Sequence, residues 1–469
     1  MTPIRRSLWR TLLLSVLLFG LVSAPLAAQG GAWQTGLSFQ NLATGSSDYA
    51  TIQVDFYDSV GAVKGTLMQA GVLPGGGTTF YLPAEAGAPA GTFSAEVSSD
   101  RPVAGIVNSI NRSAQVGDSY LGTRDVDLSN NVVAPLVYRN FGGYNTTLYV
   151  QNAHNQTQDI KLYLAPVGQG ERLITTYTVP AYATKELNLQ DGAFSALGTG
   201  IGSARLEGTL GNVALVASYF RNPNASSLAD NIVGQYAGIN VSQAATTLYA
   251  PLVYKRHNNW DSGISVYNPN DAEANITITF IASGLSSYAG QTFTTTRKIG
   301  KQGMENFYLP AIGAIPAPGF FGAARIQSDR PVQAVANAVK YTPNGASIGS
   351  CYAAISLAQA TPRVSAPLVY RNWGQAETGV NFQNLGNQAT NVTLTVVTTN
   401  TGATLTRTIN NVQPGGADTF YLPTLFPNPT IFYGSATVTS SNGQPLGVLV
   451  TSPSYARGYN ANYVGIGIQ

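Results

Sequence analysis

The chain has 469 residues, 25 basic and 22 acidic, and only 10% of its residues are charged. The basic surplus sits in Arg5, Arg6 and Arg10 near the start, so the charges of the remaining chain balance. A balanced chain excludes a nucleic-acid binder, which needs a basic excess, and a lone cysteine, Cys351, excludes an internal disulfide.

Read from the start, residues 1–28 form a secretory signal. Arg5, Arg6 and Arg10 precede the apolar run Leu12 to Val22, and Ala27-Ala28 supplies the small residues of a cleavage site. The pattern favours the general secretory route and places the mature chain outside the cytoplasm, secreted or on the cell surface. No later stretch reaches the roughly 20 apolar residues that a spanning helix needs.

Beyond it, the same strands recur. A short strand ends in Asn four times, at Leu37–Asn41, Leu148–Asn152, Ile264–Asn268 and Val380–Asn384. A strand of period-2 alternation follows each, with inward residues Ile52, Val54, Phe56; Ile160, Leu162, Leu164; Ile276, Ile278, Phe280; and Val392, Leu394, Val396. Such alternation means one wet face and one dry face. Next comes Phe-Tyr-Leu-Pro at 80–83, 307–310 and 420–423, replaced in the second copy by Glu186-Leu187-Asn188-Leu189. Asp-Arg-Pro-Val at 100–103 and 329–332 marks a hairpin. Each copy closes on a tyrosine strand, at Tyr120, Tyr236, Tyr352 and Tyr463.

The segment Ala-Pro-Leu-Val-Tyr stands at 134–138, 250–254 and 366–370, three times against four copies. Its missing first occurrence falls within the signal. Its proline cannot donate to a ladder, which makes it an edge strand or the start of one. Whether it opens or closes each domain is left open by the sequence. An edge left uncovered at one end of the molecule would invite strand addition from a neighbour.

With turn signals every 8–12 residues and no sustained helical period, the chain reads as all-β: four tandem immunoglobulin-like β-sandwich repeats in an elongated array. The boundaries are 29–128, 129–245, 246–361 and 362–469.

Residues suited to chemistry are sparse. Gly345 to Gly349 matches G-x-S-x-G but lacks the strand-to-helix turn that a nucleophile elbow requires. His154 and His257 occupy non-equivalent loops without ligands at metal spacing. Asp118, Asp125 and Asp127 lack the EF-hand spacing. Neither a catalytic residue, nor a metal, nor a cofactor is expected. Cys351 occupies a position that is Ser119, Gln235 and Asn462 elsewhere, and that polar company predicts a solvent-facing or inter-domain thiol.

The binding hint follows Ala-Pro-Leu-Val-Tyr: Arg139 and Phe141, then Lys255 and Trp260, then Arg371 and Trp373. A cation beside an aromatic suits either a sugar ring or the joint between two domains. Trp33, eight residues before Asn41 as Trp260 is before Asn268, extends the pattern to the first copy.

Together, A-P-L-V-Y-[RK], the x-Q-N strand, F-Y-L-P and G-x-A-x-V-x-S-x-x-P-V resemble the tandem β-sandwich repeats of secreted, cell-surface proteins of filamentous bacteria. The resemblance spans nearly all of the chain after the signal. It implies a fold and a surface location and carries no catalytic residues. The expected function is a non-enzymatic structural or adhesive surface protein, self-assembling through an open sheet edge. Its partners would be itself or other cell-surface components. The alternative is a glycan-binding protein that uses the loop aromatic and basic residues.

Overall fold

The computed structural model describes residues 10–12, 33–222, 231–284, 286–316, 319–342, 347–399, 401–427 and 430–468. The segment read as a signal, residues 1–28, lies outside these residues except for Arg10–Leu12. Among the described residues every sheet is antiparallel, and no helix is long and apolar enough to cross a membrane.

Four successive segments, called modules below, each place one sheet over another. The second is typical. One sheet orders its strands Thr184–Asn188, Tyr144–Asn152, Val213–Arg221 and Ile232–Ala237. The facing sheet orders Arg172–Val179, Gln158–Pro166, Gly200–Gly208, Asn131–Arg139 and Ile239–Asn240. In the third module one 21-residue strand, Phe320–Lys340, serves both sheets. The alternating residues read from sequence fill the interiors: Ile52, Val54, Phe56, Ile278 and Leu394 are all 0% exposed. Each such side chain contributes about 1.5–3 kcal/mol on burial.

The Ala-Pro-Leu-Val-Tyr strand opens its module, because it pairs with a strand that follows it, as Ala134 with Ala204, Ala250 with Ala324 and Ala366 with Ala436. It has a second neighbour as well, the short strands Ile239–Asn240, Ile355–Ser356 and Ile466–Gly467. That neighbour pairs only with the two residues preceding Ala-Pro-Leu-Val-Tyr, so the segment itself keeps a single ladder partner, as an edge does. Proline is tolerated because the register shifts across it, forming a bulge.

The closing tyrosine fills that bulge. Tyr236 Oη donates to the Leu136 carbonyl at 2.6 Å and accepts from the Leu136 amide at 3.0 Å. Tyr352 does the same to Leu252, and Tyr463 to Leu368. The repeated Asn is a staple of the same kind. Asn152 Nδ2 donates to the Gln156, Val179 and Pro180 carbonyls, and Asn268 Nδ2 to those of Ala272, Ile299 and Gly300. These motifs recur because buried backbone groups need partners.

In the first module Arg10–Leu12 lies where the opening strand lies elsewhere, beside Ser94–Ser99, with Leu12 opposite Val97. The sheet edge expected to be open is covered here only by Arg10–Leu12, which lies inside the segment read as a signal, so a chain cleaved after residue 28 would leave that edge open.

The modules do not form the elongated array expected from the tandem spacing. The first and last touch: Gln40 bonds Ser365, and Ser435 Oγ donates to the Gly75 carbonyl at 2.9 Å. Corresponding surfaces meet at the other joints. Gly170 bridges Gly303 between the second and third modules, and Ser94 Oγ donates to the Tyr182 carbonyl between the first and second. The contact is head-to-tail and closes after four steps, the cyclic solution available to a heterologous interface. At the centre of this ring the four closing strands meet: Val116–Leu121, Ile232–Ala237, Ile348–Ala353 and Tyr459–Val464. Each ends its own sheet, so four bare edges cover one another.

Candidate functional site

At the end of each opening strand a hairpin turns over two residues of positive φ: Gly142-Gly143, Asn258-Asn259 and Gly374-Gln375. Left-handed φ at both central residues defines the type I′ turn that suits right-twisted strands. The turn pairs Phe141 with Tyr144, His257 with Trp260 and Trp373 with Ala376. A hydroxyl locks each: Thr146, Ser262 and Thr378 accept from the amides of Tyr138, Tyr254 and Tyr370.

The six residues singled out in sequence separate here. Lys255 and Arg371 are buried and Arg139 is half-buried, each bonding within its own module. Lys255 Nζ donates to the Ile312 and Ile315 carbonyls, both at 2.7 Å. Arg371 Nε donates to the Phe426 carbonyl at 2.6 Å and its guanidinium pairs with Glu377. Arg139 reaches the Gly198 and Gln190 carbonyls at 3.4 and 3.5 Å. All three reach loop carbonyls, and Lys255 and Arg371 are withdrawn from solvent in doing so.

The aromatics divide. Trp260 is buried, stacks on Tyr254 at 5.4 Å and shares a small cavity with Tyr455 and Asn460 of the fourth module. Trp33 packs, as does Phe220 of the second module, against the cluster of Ala114, Val116 and Val233 that joins the first module to the second. Phe141 and Trp373 stay exposed, at 45% and 43%, the latter tilted against Tyr433 at 4.7 Å. Hairpin pairing therefore sets Trp260 equivalent to Tyr144, and Phe141 equivalent to His257 and Trp373.

Exposed tyrosines join them at the same end. Tyr308 lies opposite Gly263, and Tyr421 opposite Gly379, next to the hairpins. Tyr455 receives Lys340 Nζ over its ring at 4.5 Å. Sequence reasoning passed over these tyrosines although Phe-Tyr-Leu-Pro carries the signal: in a strand the residue after a buried Phe points outward.

The ring axis is polar. Cys351 is buried, 1% exposed, so it does not face solvent; it stands where modules meet, the other half of the expectation, and its carbonyl accepts from Asn462 Nδ2 of the fourth module. Ser119, Gln235 and Asn462 are buried with it, because all four face the axis. Bare strand edges need hydrogen-bond partners, so polar side chains belong there. Asp118 is 1% exposed, and its Oδ2 accepts from the Gln235 amide at 2.9 Å. Burial pushes its carboxyl well above the usual aspartate range, an effect the amides of Gln235, Ser119, Cys351 and Asn462 only moderate. Burial, with Asp118 nearby, likewise raises the Cys351 thiol, which is poorly suited to act as a nucleophile there.

Among the described residues no group of His, Cys, Asp or Glu could hold a metal ion. Asp118 lies inside the ring while Asp127 pairs with Arg124. His154 Nδ1 accepts from the Gln156 amide, and His257 lies against Phe321 at 4.3 Å. Of the G-x-S-x-G stretch, Gly345 and Ala346 lie outside the described residues, and the Ser347 hydroxyl accepts from the Thr342 amide.

No family model matches the chain, and no curated protein matches it. Among solved structures, Thermotoga maritima 1070 is 16% identical, with 24% of this chain and 95% of that one covered at a TM-score of 0.21. A serine-rich repeat protein of Streptococcus agalactiae is 8% identical, with 54% and 84% covered at a TM-score of 0.12. A calcium-binding mutant of Bacteroides uniformis beta-glucuronidase 2 is 8% identical, with 53% and 26% covered at a TM-score of 0.11. Likeness at this level carries no functional argument.

Proposed function

We propose that this chain is a non-enzymatic, secreted adhesive protein of the cell surface. In this reading four immunoglobulin-like tandem repeats close into one rigid block, whose hairpin end meets other cell-surface components. The observation that carries it is the set of side chains displayed there: Phe141, Trp373, Tyr308, Tyr421 and Tyr455 are each 43–55% exposed. Aromatic side chains supply large contact area at little entropy cost, and a rigid block presents several of them at once.

The alternative reading, a glycan ligand, uses the same aromatics as stacking platforms. Of the expected cations, Lys255 and Arg371 are buried and leave that surface, while Lys340 over the Tyr455 ring and half-buried Arg139 remain beside it. Self-assembly would use the first module's edge beside Ser94–Ser99, which a chain lacking residues 1–28 leaves uncovered, and not the closing-strand edges, which meet within the ring.

The test is a pull-down of the secreted chain on its own cell envelope and on isolated envelope polysaccharide. The double variant Phe141→Ala/Trp373→Ala should lose envelope binding while its melting temperature stays within a degree or two of the parent's. Retained binding would rule out the hairpin end as the contact surface. Binding to polysaccharide alone would select the glycan reading.

A further inference from the structure

The opposite end of the ring holds a feature that the adhesive reading does not use. Past their tyrosines the closing strands diverge, at Leu121, Ala237, Ala353 and Val464, and open a cavity of about 440 Å³ on the ring axis. All four modules contribute to its wall, together with the links that join the second module to the third and the third to the fourth. It exists only because the ring is closed.

The lining defines what could enter. Ile239, Ile355 and Ile466 stand at equivalent places where the chain turns back beside the opening strands. The first module breaks this symmetry and supplies the turn Asp125–Asp127. The charged residues of the wall, Arg124 and Asp127, neutralise each other through contacts of 2.6 and 3.1 Å. Gln243 of the second module donates to the same carboxylate at 2.6 Å. Three of the wall's hydroxyls are engaged too: Ser242 Oγ with Asn240, Ser356 Oγ with Gln359 and Thr361 Oγ1 with the Arg363 carbonyl.

We infer that this cavity is a binding site for one uncharged, predominantly apolar small molecule. Its volume falls within the range of about 300–1,000 Å³ typical of small-molecule sites. An apolar guest covers the isoleucines and alanines without depriving any of these polar groups of a partner. A charged guest would gain nothing from a wall whose charges are already paired, and would lose its hydration.

The probe is N-phenyl-1-naphthylamine, with its sulfonated analogue as the charged counterpart, titrated by fluorescence into the full secreted chain. The uncharged dye should bind saturably, at one site per chain, at least tenfold more tightly than the sulfonate. Ala353→Trp should weaken it at least tenfold, and the milder Ala237→Leu about threefold. Phe141→Ala/Trp373→Ala, at the other end, should leave it unchanged, which separates this site from the adhesive surface. Absence of saturable binding, equal affinity for the sulfonate, or unaltered affinity in Ala237→Leu would each overturn the assignment. A misfolded Ala353→Trp leaves the decision to Ala237→Leu.

Discussion

Two joints of the ring are built from corresponding strands and differ in chemistry. Between the second and third modules, Tyr267 Oη donates to Glu171 at 2.9 Å, and Glu171 pairs with Arg205 at 2.6 Å. Those two charged side chains are only 5% and 10% exposed. Arg205 also lies over the Tyr163 ring at 4.0 Å and holds Asn131 and Glu207. Where the fourth module meets the first, Gln40 replaces Tyr267 and Thr437 replaces Arg205. The contacts there are neutral: Gln40 with Ser365, and Gln40 Nε2 with Thr437 Oγ1 at 3.4 Å. One geometry thus accepts an ion pair or a row of amides and hydroxyls. What the joint demands is that its buried polar groups be matched, and the price of breaking the match depends on whether one of them is charged.

That contrast sets an order of effects. Arg205→Ala should be the most damaging substitution, costing about 3–5 kcal/mol because Glu171 is left buried without its cation. Urea unfolding would read it, and a loss below 1 kcal/mol would show that the pair is not load-sharing at that joint. Asp118→Asn should raise stability at neutral pH by about 1–3 kcal/mol, since it removes a carboxylate that burial disfavours. The sign follows from linkage. The folded-state affinity for the proton is raised, so stability falls as pH rises from the ordinary aspartate range toward the folded-state value. The melting-temperature gain of Asp118→Asn over the parent should therefore be small near pH 4 and grow toward pH 8. A gain that shrinks with rising pH would contradict the placement of the carboxyl on the axis.

Tyr267→Phe should cost about 1–2 kcal/mol, by withdrawing the hydroxyl that Glu171 accepts. Gln40→Ala, at the neutral joint, should cost about 0.5–1.5 kcal/mol. If thermal melts ranked Gln40→Ala above Arg205→Ala, the distinction between the joints would fail.

The sequence displays the modules far better than their arrangement. Val54, Leu162, Ile278 and Leu394 are legible because a strand with one dry face repeats its apolar residues at every second place. The ring is not legible in this way. Its central residues, Ser119, Gln235 and Asn462, are polar, and periodicity assigns polar residues to solvent. They are buried because the closing strands of different modules meet there, where Asn462 Nδ2 donates to the Cys351 carbonyl and Asp118 accepts from the Gln235 amide. Equal spacing of the repeats constrains the connections but does not distinguish a rod from a ring. At the hairpins, residue type was legible and orientation was not: Lys255 and Arg371 read as surface cations, yet unpaired loop carbonyls draw them inside. The axial cavity left no trace in the sequence, because its alanines and glycines resemble any turn.

The central claim is closure, that four modules surround one axis. Small-angle scattering from the chain at low concentration tests it directly. A compact particle of this length has a radius of gyration of about 22 Å. The closed ring predicts a value near that, with a symmetric distance distribution. An extended string of modules would give roughly twice it, with a long tail, and would contradict the account.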